Sequence, residues 1–128
     1  PFNTPKWQLL VLGFVLGLTV DLFTGTPGLH AGATTLMAFS RPSIIQLISG
    51  NQKFENIQEP NLGQLDGIWF FRYTLFMVFV HHFALFFLES FSFRLMGQVL
   101  LRILLSVPVS LFLIMMILFI FKSEKKRE

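Results

Sequence analysis

The chain has 128 residues, of which 53% are hydrophobic and only 13% are charged, whereas soluble domains carry roughly 25% charged residues. A domain of this size buries only about two-thirds of the surface of its chain, so the 17 Phe residues could not all be hidden from water. These proportions exclude an ordinary soluble domain and a disordered chain. The formal charge of +3 comes mostly from residues 122–128, which argues against nucleic-acid binding. Because the chain has no Cys, disulfides and Cys-ligated metals are excluded.

Four apolar stretches have about the 20 residues that a helix needs to cross a bilayer. They cover residues 7–23, 29–48, 68–88 and 99–121. The last stretch lacks the polar stripe that a helix of a soluble bundle would show. We therefore predict an all-α integral membrane protein, a helical bundle with four transmembrane helices. Residues 1–128 form a single membrane domain in this prediction, with a cytoplasmic loop at 49–67 and a basic cytoplasmic tail at 122–128.

The distribution of positive charge predicts the orientation of the chain. If four spans follow in series, Arg94 and Arg102 lie on one side of the membrane, and the other eight of the ten Lys and Arg residues lie on the opposite side. Positive residues concentrate on the cytoplasmic side of membrane proteins. Both termini are therefore predicted to be cytoplasmic, and the short turns at 24–28 and 89–96 are predicted to face outward.

Small residues recur at four-residue spacing in the first two stretches. Gly13 and Gly17 form one GxxxG pair, and Gly28 and Gly32 form a second. Such pairs place small residues on one helix face and allow two backbones to approach closely. We predict that the first two spans pack against each other through these residues, and a dimerisation face is the alternative.

Asp21 lies in the last turn of the first predicted helix, where the helix dipole disfavours a carboxylate and an apolar environment makes its burial costly. The next helix begins nearby, with Thr26 as its expected N-cap and Pro27 at its first position. The free N–H groups at that helix start attract a negative charge. We predict that Asp21, the turn at 25–28 and His30 form a structural clamp, called the Asp21 clamp below. A proton relay or ion site made by Asp21 and His30 is the alternative.

The third stretch carries further polar groups. His81 and His82 are adjacent and point about 100° apart on a helix, so one metal ion cannot bind both from a single face. Glu89 ends the stretch on the outward side and is expected to neutralise Arg102 in the fourth span, with Asp21 as a further member of the cluster. This cluster is also a candidate partner contact.

The same stretch is rich in Phe, and four of these residues fall on one helix face. They form a stripe that is suited to helix packing, lipid contact or a groove for a partner helix, and they are Phe76, Phe79, Phe83 and Phe87. Pro108 is expected to kink the fourth helix, with Ser106 and Ser110 bonding the freed backbone groups.

The sequence contains no P-loop, GxSxG, HExxH or paired catalytic carboxylate motif, and each of these patterns marks a specific chemistry. We therefore expect no enzymatic activity, and we assign no catalytic, cofactor-binding or metal-binding residues.

Two segments resemble the bacterial rod shape-determining protein MreD family. Residues 13–42, GFVLGLTVDLFTGTPGLHAGATTLMAFSRP, resemble its signature of two glycines before an aspartate, a Gly/Pro turn, a GLHA-type helix start and a cytoplasmic Arg-Pro. Residues 81–91, HHFALFFLESF, are similar to a later segment in one branch of the family. The positions matched by the signature are Gly13, Gly17, Asp21, Gly25, Gly28, His30, Arg41 and Pro42.

The resemblance implies a non-enzymatic component of the cell-elongation machinery in the bacterial plasma membrane, which regulates cell shape and positions peptidoglycan synthesis. Its implied partners are MreC and, through the complex, MreB, RodA and a penicillin-binding transpeptidase, besides membrane lipid. It also implies about six spans, with a fold akin to the S components of energy-coupling-factor transporters, so this chain is expected to be an N-terminally shortened form.

Two other functions stay open at this point. One is a small-molecule or ion transport component of the membrane. The other is a proton-coupled channel that uses Asp21, His30, His81 and Glu89, which requires these groups to share one cavity. The basic tail is expected to bind anionic lipid, since each basic residue near a membrane surface contributes about 1 kcal/mol.

Overall fold

The computed structural model describes residues 4–50, 67–91 and 93–125, and this part of the chain is all-helical. Helix α1 covers Lys6–Thr24, α2 covers Leu29–Ser49, α3 covers Gly67–Ser90 and α4 covers Met96–Lys125. One turn of 3-10 helix, Phe93–Leu95, precedes α4. The helices lie close to the four predicted stretches. Most of the predicted loop, residues 51–66, and the end of the predicted tail, residues 126–128, lie outside the described residues.

Three of the four helices, α1, α3 and α4, are long and apolar enough to cross a membrane. The prediction of an all-α membrane protein is supported by these three helices. Four spans were predicted, and α2 is the helix that does not meet this criterion. Helix α2 differs because it carries more polar side chains than its neighbours. These polar residues of α2 include Thr34, Thr35, Ser40, Arg41, Ser43 and Gln46.

Each helix packs on its neighbour in the chain, and consecutive helices are antiparallel. Within the described ranges, extensive contacts occur only between α1 and α2, between α2 and α3, and between α3 and α4. The four helices are therefore arranged in series and are not closed into a bundle. The two short turns lie at one end of the molecule, called the turn end below. The end of α2 and the start of α3 lie at the other end, called the loop end.

The hydrophobic core lies between α3 and α4. Four of its five residues come from successive turns of α4, and its members are Val78, Val99, Ile103, Val107 and Leu111. Many other large apolar side chains are exposed, for example Phe23 at 87% and Phe119 at 72% of their surface. Large exposed apolar surfaces mark contact with membrane or partner proteins, and lipid is the solvent that suits this composition.

The first two helices approach each other through glycine. The Thr34 hydroxyl donates a hydrogen bond to the Gly13 carbonyl oxygen at 2.6 Å. A Cβ atom on Gly17 would lie 2.5 Å from Ala31 Cα, so only glycine fits there. The predicted packing of the first two helices through Gly13 and Gly17 is therefore confirmed, and this face is used within the chain.

The second GxxxG pair does not form a helix face. Gly28 precedes α2 and has a φ of +89°, a backbone conformation that favours glycine. Gly32 faces α3, since a Cβ atom there would lie 3.2 Å from Leu88 Cδ1. The prediction was wrong for this pair because four-residue spacing places two residues on one face only when both are helical.

Candidate functional site

The Asp21 carboxylate is buried at the turn end, with 2% of the residue exposed. Its Oδ2 atom accepts hydrogen bonds from the backbone N–H groups of Gly28 at 2.9 Å and Ala31 at 3.0 Å. Its Oδ1 atom accepts from the backbone N–H of His30 at 2.9 Å and the Thr26 hydroxyl at 3.1 Å. The Nδ1 atom of His30 also lies 2.9 Å from Oδ1. These contacts confirm the predicted clamp.

Asp21 supplies the cap that α2 lacks. The first N–H groups of a helix have no partner within it, and the N-cap residue Gly28 has no side chain to bond them. The carboxylate reaches them from α1. Thr26 was wrongly predicted as the N-cap with Pro27 at the first helical position, because α2 begins two residues after Pro27 and the Thr26 hydroxyl bonds Asp21 instead.

The backbone of Asp21 also ends α1. Its carbonyl oxygen accepts hydrogen bonds from the N–H groups of Gly25 at 2.9 Å and Thr26 at 3.3 Å. Gly25 has the left-handed conformation, with φ of +68°, that commonly ends helices. One residue therefore ends α1 through its backbone and starts α2 through its side chain.

The electrostatics of this turn favour a structural role for Asp21. A carboxylate is disfavoured by the C-terminal dipole of its own helix, and the N-terminal dipole of α2 offsets that effect. Both carboxylate oxygens are already engaged by donors of the same chain. This arrangement favours the structural clamp over the proton relay or ion site that was the alternative.

The predicted ion pair of Glu89 with Arg102 is present on the α3–α4 side of the turn end. Arg102 Nη1 donates a hydrogen bond to Glu89 Oε2 at 2.9 Å, and Arg102 Cζ lies 6.0 Å from the ring centre of Phe86. Asp21 was expected to join this cluster, and that was wrong. Its carboxylate bonds the start of α2 because the unpaired N–H groups there are its immediate neighbours.

The two histidines of α3 occupy different environments. His82 Nε2 lies 2.9 Å from the Ser110 hydroxyl of α4, so this contact joins α3 and α4. Ser110 was predicted instead to bond backbone groups freed by Pro108. The rings of His81 and His82 meet edge to face at 5.5 Å. No metal-binding group of three His, Cys, Asp or Glu side chains occurs within the described ranges.

The Phe stripe of α3 is partly exposed. Phe83 stacks on Phe79 at 6.1 Å and on Phe87 at 5.9 Å, while Phe76 is 40% exposed. An apolar groove of about 570 Å³ runs beside the stripe, between α3 and α4, and is lined by Phe79, Leu100, Leu101, Ile103, Leu104, Val107 and Pro108. The stripe's role as a partner contact stays a prediction.

A second polar cluster, at the loop end, was missed by the sequence analysis. Arg41 is buried in α2 and its Nε atom donates to the Tyr73 hydroxyl at 3.1 Å. Trp69 stacks on Tyr73 at 5.3 Å and donates from Nε1 to the Ser49 hydroxyl at 3.2 Å. A buried cation needs a hydrogen-bond acceptor, and this need was the feature from which the cluster could have been predicted. Pro42 lies inside α2, which continues to Ser49.

Comparison of the chain with protein-family models, with curated proteins and with solved structures gives no significant match. The function is therefore inferred from the residues and their geometry. The groups that the structure brings together are the Asp21 clamp, the Glu89–Arg102 pair and the Arg41–Tyr73 cluster.

Proposed function

We propose that the chain is a MreD-like, non-enzymatic component of the bacterial cell-elongation machinery, which regulates cell shape and positions peptidoglycan synthesis. The observation that carries this proposal is that most residues of the MreD-like signature meet at one place, the contact between α1 and α2. There, Gly17 packs on Ala31, and Asp21 bonds the backbones of Gly28 and His30.

A physical requirement accounts for the residue type at four of these signature positions. Gly17 is needed because the α2 backbone lies where its Cβ would be. Asp21 is needed because a carboxylate can accept several N–H groups at once. Gly25 and Gly28 are needed because both have positive φ. A signature that specifies one rigid hairpin supports a scaffold role.

The state of the polar groups also supports a scaffold and not a reaction centre. The Asp21 carboxylate is engaged by backbone N–H groups, and Glu89 is engaged by Arg102. A general acid or base must exchange a proton with a substrate, and a carboxylate held by several donors of its own chain is poorly placed to do so.

We place the protein in the bacterial plasma membrane with the turn end outward and the termini cytoplasmic. In this arrangement α2 crosses the membrane as a fourth helix, because it is antiparallel to both neighbours and its 21 residues extend about 31 Å at 1.5 Å per residue. Lys6, Arg41 and Arg72 then lie at the cytoplasmic loop end, as the positive-inside rule expects.

The open series of helices suits a larger assembly. We propose that the complete protein has about six spans, as in the S components of energy-coupling-factor transporters, with two further helices packed on the series. The exposed Phe stripe and the groove beside it are the proposed contact for MreC and RodA. Contact with MreB and the penicillin-binding transpeptidase is proposed to pass through that complex.

Cells that carry Asp21→Leu or Gly17→Leu in this protein are expected to lose the rod shape, because both changes disrupt the α1–α2 hairpin. The measurements are cell width and length in microscopy and the recovery of MreC with the tagged protein. Gly97→Leu is the matched control, since a Cβ at Gly97 meets nothing within 4 Å. Normal rods with undiminished MreC recovery in both variants would contradict the proposal.

A further inference from the structure

A small cavity lies at the turn end beside the Glu89–Arg102 pair. Its volume is about 140 Å³, which is room for several water-sized groups. The polar part of its lining comes from Glu89, Ser90, Gln98 and Arg102, and the apolar part includes Phe86 and Val99. Polar and apolar surface therefore meet in one cavity between α3 and α4.

The charges in this cavity suit a ligand that carries both signs. Arg102 and Glu89 are bonded to each other at 2.9 Å, and their side chains are still 54% and 46% exposed. The guanidinium has five N–H donors in a planar fork that matches phosphate, and the carboxylate accepts hydrogen bonds from an ammonium group. A simple anion would be repelled by Glu89 and a simple cation by Arg102, whereas a zwitterion can pair with both.

The two side chains enter the cavity from different depths. Glu89 is one residue from the end of α3, while Arg102 is six residues after the start of α4, so the Arg102 backbone lies about 9 Å along the helix axis from that start. Its guanidinium reaches back to the Glu89 carboxylate. In a phospholipid such as phosphatidylethanolamine, the phosphate is nearer the acyl chains and the ammonium group is at the tip of the headgroup. The backbone positions from which Arg102 and Glu89 extend have the same order from inside to outside.

An exposed apolar strip continues from the cavity along α4. Leu105, Val109 and Phe112 follow Arg102 at spacings of three and four residues, so they share its helix face. Their exposed fractions are 64%, 59% and 68%. We propose that this cavity binds the headgroup of phosphatidylethanolamine, with the phosphate on Arg102, the ammonium group on Glu89 and an acyl chain along the strip.

The test uses the full chain, purified, stripped of lipid and mixed with phosphatidylethanolamine or phosphatidylglycerol in micelles. Native mass spectrometry measures the fraction of protein that retains each lipid. Wild-type protein is expected to retain phosphatidylethanolamine in preference to phosphatidylglycerol, which lacks the ammonium group. Arg102→Gln is expected to lower this retention at least about fivefold, because a charge-assisted contact is lost. Arg94→Gln, the same change at the same end but outside the cavity lining, is expected to have no effect.

Two further variants separate lipid binding from simple pairing of the two side chains. Glu89→Gln is expected to remove the preference for phosphatidylethanolamine over phosphatidylglycerol. The exchange Glu89→Arg with Arg102→Glu keeps an ion pair and is expected to keep the Tm, because exposed ion pairs contribute little to stability. It reverses the backbone positions from which the two charges extend and is expected to lose the lipid. Equal retention of phosphatidylethanolamine by wild type and Arg102→Gln would overturn the proposal, and so would full retention by the exchanged pair.

Discussion

Replacing Asp21 by Asn is expected to lower the Tm of the purified protein by roughly 5–10 °C, the range produced by the loss of one to two strong interactions in a chain of this size. The amide has the same shape as the carboxylate, but its NH₂ group cannot accept hydrogen bonds. One set of donors among Gly28, His30 and Ala31 therefore loses its acceptor while it stays buried. A buried donor without a partner is more costly than the average value of a hydrogen bond.

The measurement is thermal unfolding in detergent, followed by circular dichroism. Glu89→Gln is the matched control because it makes the same chemical change in a half-exposed carboxylate. Exposed ion pairs contribute little to stability, so the control is expected to shift the Tm by at most about 2 °C. Equal Tm values for the two variants would show that the Asp21 clamp does not stabilise the hairpin.

Replacing Gly17 by Ala is expected to cost about 3 kcal/mol in the free energy of unfolding, the upper part of the range for overpacked sites. The added methyl group meets the Ala31 backbone at 2.5 Å and also the Thr34 hydroxyl and the His30 carbonyl oxygen. Backbone atoms of a helix cannot move aside as a flexible side chain can, so the two helices must separate. The bond from Thr34 to the Gly13 carbonyl oxygen then lengthens as well.

Gly97→Ala is the control for this prediction, because nothing lies within 4 Å of a Cβ atom at Gly97. Alanine is favoured over glycine inside a helix by about 1 kcal/mol, so the control is expected to be neutral or stabilising. The measurement is the free energy of unfolding of both variants in a mixed-micelle denaturant titration. A loss from Gly17→Ala no greater than that from Gly97→Ala would contradict the close packing of α1 on α2.

The sequence predicts those features that depend on local chemistry. The four helices follow from the lengths of the apolar stretches. The Asp21 clamp follows because a carboxylate among apolar residues needs donors, and the start of the next helix offers them within a few residues. The pairing of Glu89 with Arg102 follows from the prediction that both lie on one side of the membrane. In each case the partners are close in the chain or lie at the same end of the molecule.

Features that depend on rotation and long-range pairing could not be predicted. Thr26 has the side chain of an N-cap, and only the three-dimensional turn shows that Asp21 performs this function. The pairing of Arg41 with Tyr73 joins residues that are 32 positions apart in the chain. The contact between His82 and Ser110 depends on how α3 and α4 are rotated about their axes, which spacing alone does not determine.

The proposed role of this protein as a membrane scaffold of the cell-elongation machinery can be tested by photo-crosslinking in native membranes. Photoreactive residues at Phe76 and Phe83, which are 40% and 37% exposed, are compared with control positions Leu12 and Leu16 on α1, and the captured proteins are identified by mass spectrometry. The Phe stripe is expected to capture MreC or RodA, and the control positions are not. Capture of the ATPase-coupling subunit of a transporter, with the cell-wall proteins absent, would contradict the proposed role.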